Sequence, residues 1–299
     1  MVEVRGLCQR LGVALSEGEP LAPLTSLRIG GEALFCARPP AWGVVPALLE
    51  GLWSFGVAFR VLGAGSNLLV EEGPLGFGVV QLRRCGGAAR WEGATVEADA
   101  DVPLPALAAE AVRRGLAGLE SLAGVPGTVG GAVIMNAGAY GGEMAGVMTD
   151  VALIERGGGV VWRPVSSLRF GYRTSDVAAR GVVAGCRMRL SPGDRAALAE
   201  RFEAHRAKRL ATQPWNEPTA GSVFKNPAGD FAGRILETLG FKGRRRGGAG
   251  FSQKHANFLV NHGGATFADA WGLCEEARAA AAAAGTTLEY EMEVWRRAA

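Results

Sequence analysis

The feature that most constrains this chain is the clustering of its glycines. Ten of the 32 residues from Gly115 to Gly146 are glycine, out of 45 in a sequence of 299 residues. Such a density without a collagen-like period indicates a backbone that bends tightly or passes very close to another group. Because the segment contains almost no lysine or arginine, an anion bound there would be held by backbone amides.

Two loops in the chain are candidates for binding phosphate. One runs from Gly124 to Gly131 and continues to Gly142, but it lacks the Gly-Lys-Ser/Thr ending of a P-loop, which argues against an ATPase. The other is Gly63-Ala64-Gly65-Ser66-Asn67, which lacks the third glycine of a Rossmann motif and precedes a second predicted strand. Either loop alone is equally consistent with a tight turn between packed elements. Two of them in one chain favour a diphosphate ligand.

Composition indicates a folded protein of about two domains, since 48% of residues are hydrophobic and 20% charged. No run of eighteen apolar residues and no secretory signal is present, so we expect a cytoplasmic protein. Five scattered cysteines and three histidines predict neither a disulfide framework nor a metal site. The net charge of +3 is mild, and the one dense basic cluster, 242–246, is interpreted as a solvated loop rather than a nucleic-acid site.

Strand-like and helix-like segments alternate along the chain, which predicts an α/β construction. The first three segments suggest a small βαβ unit before residue 63. The loop 213–218 is the candidate domain boundary. The predicted strands are 33–37, 58–62, 147–155, 160–165, 182–190 and 288–294. The predicted helices are 41–55, one from 102 with Asp101 as N-cap and Gly115 as its stop, one from a Ser191 cap to about 210, then 231–239 and 266–284.

Six segments together match one family pattern over most of the chain: Thr25–Gly31, Leu62–Val70, Gly124–Gly142, Arg169–Ser175, Ala220–Pro227 and Lys254–Phe258. They resemble the UDP-N-acetylenolpyruvoylglucosamine reductase family, flavoenzymes of bacterial cell-wall precursor synthesis. The first three segments are shared in weaker form with other flavoproteins of the same FAD-binding fold, so the later ones are more specific. The short interval between Arg173 and Ser222 resembles the subtype without an inserted substrate-capping loop.

The resemblance implies an α/β (α+β) fold. It comprises an FAD-binding region of two α/β subdomains (PCMH-type flavoprotein fold) and a C-terminal α+β substrate-binding domain. We expect boundaries at 1–82, 83–192 and 193–299. The resemblance also implies non-covalent FAD, NADPH as hydride donor and UDP-N-acetylglucosamine enolpyruvate as the substrate reduced. These expectations place the chain in peptidoglycan synthesis, and so in cell-wall biogenesis, cell shape and cell division.

The resemblance further implies three catalytic residues. Arg173 would stabilise the negative charge that hydride addition drives onto the substrate carboxylate, because a guanidinium binds both oxygens at once. Ser222 would donate a proton to the carbon beside that carboxylate. Glu293 would orient groups or share a proton; it aligns by register in Tyr290-Glu291-Met292-Glu293-Val294-Trp295, where the family has Leu-Glu-Pro-Glu-Val-Arg. Considered without the motifs, Arg173 is more typical of a surface ion pair, and a solvent-exposed place on an edge strand stays open for Glu293.

The remaining implied residues bind ligands. For FAD they are Arg28, Gly63, Gly65, Ser66, Asn67, Leu68, Gly124, Pro126, Gly127, Thr128, Gly130, Gly131, Asn136, Gly138 and Ala139. For the substrate they are Tyr172, Lys225, Asn226 and His255. A lone histidine or asparagine is more often a structural hydrogen-bonding group, and that alternative stays open here.

Three alternatives compete with this interpretation. The main one is another FAD-dependent oxidase or dehydrogenase of the same fold, acting on a sugar alcohol or lactone. Some of those tether the flavin through a histidine in the first glycine loop, whereas no histidine precedes His205 here. A non-catalytic flavin or UDP-sugar binder would have no use for the three catalytic residues. An acylating enzyme, suggested by Ser222-Val223-Phe224-Lys225, would also need S-D-N and K-T-G motifs, which are missing.

Overall fold

The structure is a computed structural model that describes residues 1–157 and 159–298. The helices in these residues are α1 (Val2–Leu11), α2 (Val45–Ser54), α3 (Leu104–Arg113), α4 (Val129–Ile134), α5 (Val177–Arg180), α6 (Arg195–Thr212), α7 (Ala232–Thr238) and α8 (Phe267–Ala283). The strands that begin before residue 150 are β1 (Ala14–Pro20), β2 (Glu32–Arg38), β3 (Phe59–Leu62), β4 (Leu68–Val70), β5 (Gly78–Gln81), β6 (Ala89–Glu92), β7 (Thr95–Asp99), β8 (Leu116–Ala117), β9 (Gly138–Ala139), β10 (Gly142–Glu143) and β11 (Met148–Glu155). The later ones are β12 (Gly159–Pro164), β13 (Phe170–Gly171), β14 (Thr174–Ser175), β15 (Val182–Arg189), β16 (Ser191–Pro192), β17 (Thr219–Ser222), β18 (Arg245–Arg246), β19 (Ala249–Phe251), β20 (Phe258–Asn261) and β21 (Glu293–Trp295).

The chain divides into two compact units. Unit 1 comprises Met1–Glu17, Phe35–Ala64 and Phe77–Lys208. Unit 2 comprises Gly18–Leu34, Gly65–Gly76 and the chain from Arg209 onward. Both units therefore draw on separate stretches of sequence. The expected division into three consecutive regions stays a prediction.

Unit 1 contains a four-stranded sheet in the order β1-β2-β5-β3, of which β1 and β2 continue into residues of unit 2. Strands β2 and β3 both run parallel to β5, and α2 connects them, which confirms the predicted βαβ unit. Helix α2 buries its leucines against Phe35 of β2. Gly78 leaves the space that the Phe35 ring occupies, since a Cβ there would lie 2.1 Å from the ring.

A second sheet of unit 1 is antiparallel, in the order β12-β11-β15-β7-β6. One face of β11 and β15 packs with α3 and α4 into a core that includes Leu107, Val133, Leu153 and Cys186, all 2% exposed or less. The strands predicted over 147–155, 160–165 and 182–190 are all confirmed, because their β-branched and apolar residues fill this sheet.

Unit 2 is built on the four-stranded sheet β17-β20-β19-β18 with helices α7 and α8. Helix α8 begins at a capping box in which Thr266 and Asp269 satisfy each other's amides. A separate parallel pair joins β21 to β4, with Glu293 opposite Leu68 and Trp295 opposite Val70.

Three details of the sequence prediction are wrong. Asp101 does not cap α3, which begins after Pro103; its carboxylate accepts hydrogen bonds from Trp42 Nε1 and the Gly87 amide. Ser191 does not start a helix but pairs with Ala117 in β16, and α6 begins after Asp194, whose carboxylate accepts from the Ala197 amide. The final strand is shorter and later than 288–294, because the chain before Glu293 forms an isolated bridge at Tyr290 and separate hydrogen bonds to Val223 and Lys225 rather than a continuous ladder.

Two general properties bear on function. Within 1–157 and 159–298, no helix combines the length and apolar character needed to cross a membrane. All five cysteines are buried as free thiols, and burial raises the pKa of Cys85 and of Cys186 to about 12. Such thiols stay protonated and unreactive at neutral pH.

Candidate active site

The glycine loop of unit 1 turns sharply twice before α4. The backbone angle φ is 69° at Gly124 and 127° at Gly127. An L side chain rarely takes such left-handed conformations. Thr128 then caps α4, with its hydroxyl oxygen accepting from the Gly131 amide at 3.5 Å. The turn therefore ends with the first amides of a short helix.

The amides of this loop fall into two groups. Those of Val129 and Gly130 donate to the carbonyls of Val102 and Ala100, at 2.9 and 2.8 Å. Those of Gly124, Gly127 and Thr128 donate to no acceptor in the part of the chain that the structure describes. Backbone capacity for an anion therefore lies at Gly124, Gly127 and Thr128 rather than at every amide from residue 124 to 131.

The start of the first glycine loop lies against this turn inside unit 1. A Cβ at Gly63 would lie 2.8 Å from Thr128 Oγ1, so only glycine allows the close approach. Gly131 is exposed, and a Cβ there would approach no atom closer than 3.9 Å, which leaves open space beside the turn. Gly130 has no such space beside it, because it is buried and packs against Ala100, where a Cβ would lie 2.9 Å from the alanine Cβ.

Asn136 joins the continuation of this loop to neighbouring backbone. It is fully buried at φ 44°, its Nδ2 donates to the Gly171 carbonyl at 3.0 Å, and its Oδ1 accepts from the Ala145 amide at 2.9 Å. The hairpin β13–β14 that includes Gly171 is thereby attached to the glycine-rich segment.

Arg173 lies in the two-residue turn of that hairpin, after Tyr172. Its φ is 54°. This value is uncommon for a residue with a side chain and is typical of glycine at the third position of a type II turn. The guanidinium donates to the Gly138 carbonyl and lies 4.9 Å from the centre of the exposed Tyr172 ring. A predicted catalytic arginine and a predicted cofactor segment, Gly138–Ala139, are therefore brought together in unit 1.

The other half of the first glycine loop belongs to unit 2. Gly65 (φ 66°) packs on Leu24, where a Cβ would lie 2.3 Å from the carbonyl oxygen, and its own carbonyl accepts from the Ser26 amide and hydroxyl. The Ser26 hydroxyl lies 2.6 Å from the Thr219 carbonyl at the start of β17. Arg28 follows at φ 58° with an exposed side chain.

Asn67 connects the same loop to the strand of Glu293. Its carbonyl accepts from the Glu293 amide at 2.9 Å, and its Nδ2 donates to the Glu291 carbonyl at 3.0 Å. Leu68 is buried opposite Glu293 in the parallel pair, while the Glu293 side chain is exposed. The strand that carries Glu293 is therefore paired with the end of a glycine loop rather than lying on a remote edge.

Ser222 ends β17 beside a bulge. The stretch from Thr219 to Ser222 is one residue longer than the stretch of β20 that it opposes, 258–260. Gly221 takes φ 80° where the extra residue is accommodated. The Ser222 side chain is half-buried, and its hydroxyl makes no hydrogen bond within residues 1–157 and 159–298. Such a bulge re-aims a side chain and leaves this hydroxyl available to a ligand.

Asn257 fixes the backbone immediately after Ser222. This role was not predicted from the sequence. Its Oδ1 accepts from the Phe224 amide at 3.0 Å and its Nδ2 donates to the Phe224 carbonyl at 2.7 Å. Val223 in turn accepts from the amides of Glu291 and Met292 through its carbonyl. The segments carrying Ser222 and Glu293 therefore lie side by side in unit 2. The available signal was an asparagine directly before a buried strand, inside a segment already matched to the family.

The three predicted substrate residues of unit 2 have different surroundings. Lys225 Nζ lies 3.6 Å from Glu289, and the Asn226 Oδ1 accepts from the Ala232 amide at the start of α7. His255 Nδ1 accepts from the Asn257 amide at 3.3 Å, and its ring packs on Phe258. Burial lowers the pKa of His255, so its neutral form dominates at neutral pH.

The structure thus gathers the predicted residues into two sets, one in each unit. Unit 1 holds Gly63, Gly124, Pro126, Gly127, Thr128, Gly130, Gly131, Asn136, Gly138, Ala139, Tyr172 and Arg173. Unit 2 holds Arg28, Gly65, Ser66, Asn67, Leu68, Ser222, Lys225, Asn226, His255 and Glu293. Within the described ranges no group of three histidine, cysteine or acidic side chains is arranged to hold a metal ion.

The unit 1 cradle fits the diphosphate of a dinucleotide. It offers three uncommitted amides, a close approach at Gly63 that a Cβ would prevent, and open space at Gly131. Backbone amides grouped in this way bind anions without the help of a cation. A sequence model described as FAD binding domain matches residues 36–156, which span most of this unit. The chain is a flavoprotein with an FAD-binding domain, and FAD is its cofactor.

Comparison of the whole chain identifies the family. The model of the UDP-N-acetylenolpyruvoylglucosamine reductase C-terminal domain matches residues 213–295. Proteins named UDP-N-acetylenolpyruvoylglucosamine reductase include one from Anaeromyxobacter dehalogenans strain 2CP-C, 43% identical over 87% of this chain and 79% of that protein. One named UDP-N-acetylenolpyruvoylglucosamine reductase 2, from Symbiobacterium thermophilum, is 41% identical over 94% and 92%. The crystal structure of the reductase from Thermus caldophilus has a TM-score of 0.81 at 34% identity and covers 95% of this chain and 98% of that one.

This chain belongs to the UDP-N-acetylenolpyruvoylglucosamine reductase family. It is an enzyme of the UDP-N-acetylmuramate dehydrogenase class, acting in peptidoglycan precursor synthesis on a small-molecule substrate. The family expectation from the six sequence segments is confirmed.

Proposed function

We propose that Arg173, Ser222 and Glu293 carry out the reduction of UDP-N-acetylglucosamine enolpyruvate to UDP-N-acetylmuramate, with NADPH as the reductant. The observation that supports this most directly is the Ser222 hydroxyl. It follows a bulge, is half-buried and makes no hydrogen bond to the protein in the described residues. A hydroxyl that the fold itself does not use is open to a ligand.

Arg173 would bind the substrate carboxylate. Reduction of the enol ether adds hydride to its terminal carbon and drives negative charge through the adjacent carbon onto the carboxylate. A guanidinium is always charged and binds two oxygens at once, so it stabilises this charge as it develops. Arg173 has a left-handed backbone conformation. This conformation costs about 1–2 kcal/mol relative to glycine, and strain of this kind is concentrated at functional positions.

Ser222 would deliver the proton that completes the reaction. The carbon beside the carboxylate accepts this proton from the hydroxyl, forming a C–H bond as the O–H bond breaks. A hydroxyl is a weak acid, so it must lie close to a strongly basic carbon and recover its proton through a neighbour. Asn257 and the β17–β20 pairing fix the backbone on both sides of Ser222 and provide that positioning.

Glu293 would share or orient that proton. Its segment lies beside the one carrying Ser222, because the Val223 carbonyl accepts from the amides of Glu291 and Met292. A carboxylate near the substrate carboxylate is tolerated when it is protonated or bridged by a cation such as Arg173.

The cofactor and the remaining ligands complete the proposal. FAD would supply the hydride chemistry when bound, with NADPH as the source of the electrons. Gly124, Gly127 and Thr128 would hold its diphosphate through their amides, and Arg28, Gly65, Ser66 and Leu68 are also proposed to bind it. Tyr172, Lys225, Asn226 and His255 would bind the substrate, with Lys225 and Asn226 at the UDP diphosphate. We also propose that the enzyme works in the cytoplasm, without a nucleic-acid or membrane partner.

Separate measurement of the two half-reactions tests the proposal. In Ser222→Ala, reduction of FAD by NADPH should survive nearly intact, because it needs no proton donor to substrate carbon. Reoxidation by the enolpyruvyl substrate should slow by about 10²–10⁴-fold. Ser222→Cys should keep more of this second step than the alanine variant, since a thiol can still donate a proton.

Stopped-flow absorbance of the flavin records both steps in the same enzyme preparation. Equal slowing of reduction and reoxidation in Ser222→Ala would show that the serine positions ligands or supports the fold. The proton-donor role would then be wrong.

A further inference from the structure

The side chain of Asn67 makes contacts that do not match the cofactor-binding role expected for it. As part of a glycine loop it is expected to bind the cofactor, yet its side-chain Nδ2 donates to the Glu291 carbonyl at 3.0 Å. Its carbonyl accepts from the Glu293 amide at 2.9 Å. One residue of the loop therefore makes hydrogen bonds on both sides of Met292.

Two hydrogen bonds of this kind define the register of the strand that follows. Because successive residues of a strand point to opposite faces, a slip of one residue would turn the Glu293 carboxylate to the other face. Strand β21 is only three residues long. The Glu71 amide also donates to the Trp295 carbonyl at 2.8 Å, and the Glu291 and Met292 amides donate to the Val223 carbonyl. The Asn67 side chain therefore reinforces a register that backbone bonds hold on both sides of Glu293. Met292 is buried, which adds an apolar anchor between the two hydrogen bonds.

The other end of the strand pair is held differently. Arg297 donates to the Glu71 carboxylate from its backbone amide and its Nε, at 2.9 and 3.1 Å, and its Nη2 lies 3.0 Å from the same carboxylate as an ion pair. The Arg297 side chain is exposed, and ion pairs at the surface contribute little to stability. This contact closes the end of the pair but lies beyond Glu293 and outside β21.

We propose that Asn67 is a positioning residue for Glu293, which couples the flavin-binding loop to the proton-sharing carboxylate. The proposal rests on the catalytic role proposed for Glu293. When the cofactor orders residues 65–68, the same backbone fixes the facing direction of Glu293. The side chain of Asn67 then serves the acid rather than the flavin phosphates.

A double-mutant cycle tests the coupling. Asn67→Ala should slow flavin reoxidation by substrate about tenfold to a hundredfold, as expected for a misplaced catalytic group. Reduction by NADPH should change less than about threefold, and so should the dissociation constant for FAD from flavin fluorescence. In a Glu293→Gln background, Asn67→Ala should cause little further loss, because the residue through which it acts has already been removed.

Hydrogen exchange gives a readout independent of turnover. In wild-type holoenzyme the peptide containing Glu293 should be protected, and Asn67→Ala should increase its exchange while peptides of β17 and β20 stay unchanged. Arg297→Ala is the matched control, since it loosens the same strand beyond Glu293 and should leave reoxidation within about threefold of wild type.

The outcomes separate the two proposals. If Glu293→Gln leaves reoxidation unchanged, the catalytic role of Glu293 is wrong. If Glu293→Gln is slow but the loss from Asn67→Ala is fully additive, Asn67 does not act through Glu293. A large rise in the FAD dissociation constant for Asn67→Ala would show that Asn67 binds the cofactor and does not act by positioning Glu293. Equal slowing by Arg297→Ala would mean that any loosening of β21 has the same effect, and the specific role of Asn67 would be wrong.

Discussion

Arg173 in unit 1 and Ser222 in unit 2 are presented by opposite structural means. Arg173 occupies a two-residue turn in a left-handed conformation and is steadied by its own bond to Gly138 and by the buried Asn136. Ser222 has a negative φ and ends a strand whose neighbours are fixed by sheet pairing and by Asn257. One residue is held against a local conformational preference, and the other by regular backbone hydrogen bonds.

The difference indicates which substitutions each region tolerates. The strain at Arg173 comes from its Cβ, so shortening the side chain beyond that atom adds no strain, and the fold should survive changes there. A strand end depends on the groups that fix its register, so the sheet around Ser222 should be more sensitive to its supporting asparagine than to the serine itself. Function and stability are therefore separable in unit 1 and linked in unit 2.

Apart from the Ser222 variants, the largest expected effect is on catalysis in unit 1. Arg173→Ala should leave FAD bound and slow flavin reoxidation about a hundredfold, since the loss of one charge-stabilising donor costs about 3 kcal/mol. Arg169→Ala, which removes an exposed arginine of the same hairpin region paired with Asp176, should be close to wild type. Stopped-flow reoxidation of both variants makes the comparison, and an unchanged rate in Arg173→Ala would reduce the arginine to a structural residue.

The next effect concerns the asparagine that supports Ser222. The Asn257 side chain pairs with the amide and the carbonyl of the buried Phe224. Asn257→Ala should lower the free energy of unfolding by about 2 kcal/mol, because both backbone groups would lose their partners.

The control for this variant is a change at Asn216, which is exposed. Asn216→Ala should change the free energy of unfolding by less than about 0.5 kcal/mol. Urea denaturation of the two variants measures the difference. If Asn257→Ala and Asn216→Ala are equally stable, the proposed link between stability and function in unit 2 is wrong.

A smaller effect tests the strain at Arg173 directly, where φ is 54°. At position 173 glycine should be more stable than alanine by about 1 kcal/mol, because only glycine adopts this conformation without steric cost. At position 222 the order should reverse, with alanine above glycine by about 0.5–1 kcal/mol, since glycine pays more conformational entropy in a strand. Thermal denaturation of the four variants gives both differences. The same order at both positions would remove the contrast between the units.

The smallest effect is a pH dependence in unit 2. Burial lowers the pKa of His255. As the pH falls, the unfolded chain therefore takes up a proton near the ordinary value of about 6.5 before the folded chain does. The stabilising contribution is complete above that pH and is lost below it, with a slope of at most about 1.4 kcal/mol per pH unit. Denaturation midpoints of wild type and His255→Gln between pH 7.5 and 5 should converge towards acid. Parallel profiles would place the titration elsewhere.

Much of the fold was predictable because short stretches of sequence carry the signals for individual strands and helices. The long strands of unit 1 are runs of β-branched and apolar residues, and α8 carries both a capping box and the Gly285 stop. The predictions were wrong where residues typical of a helix start instead make contacts with distant parts of the chain. Ser191-Pro192 has the composition of a helix start but pairs with β8, and Asp101 accepts from Trp42 and Gly87 instead of capping α3.

The site was predictable in its residue types but not in its hydrogen bonds. Glycine spacing and family motifs identified both loops, yet they could not tell which amides the fold itself consumes, as at Val129 and Gly130. For the same reason Asn67 and Asn136 were expected at the cofactor, although both side chains bond to backbone across the unit. The role of Asn257 depends on a contact 33 residues away, which no local pattern encodes.

The parallel pairing of Glu293 with Leu68 has a consequence for how the enzyme is made in the cell. Most of the chain lies between these two residues. At about 5–20 residues per second, a ribosome needs roughly 10–45 s to supply the second after the first. During that interval Leu68, Leu69 and Val70, all buried in the finished protein, lack the strand that pairs with them. An unpaired apolar strand can pair with strands of other chains and so promote aggregation. The strand that covers it also carries the carboxylate proposed for catalysis, so the nascent chain is protected from aggregation and becomes competent for chemistry at the same moment.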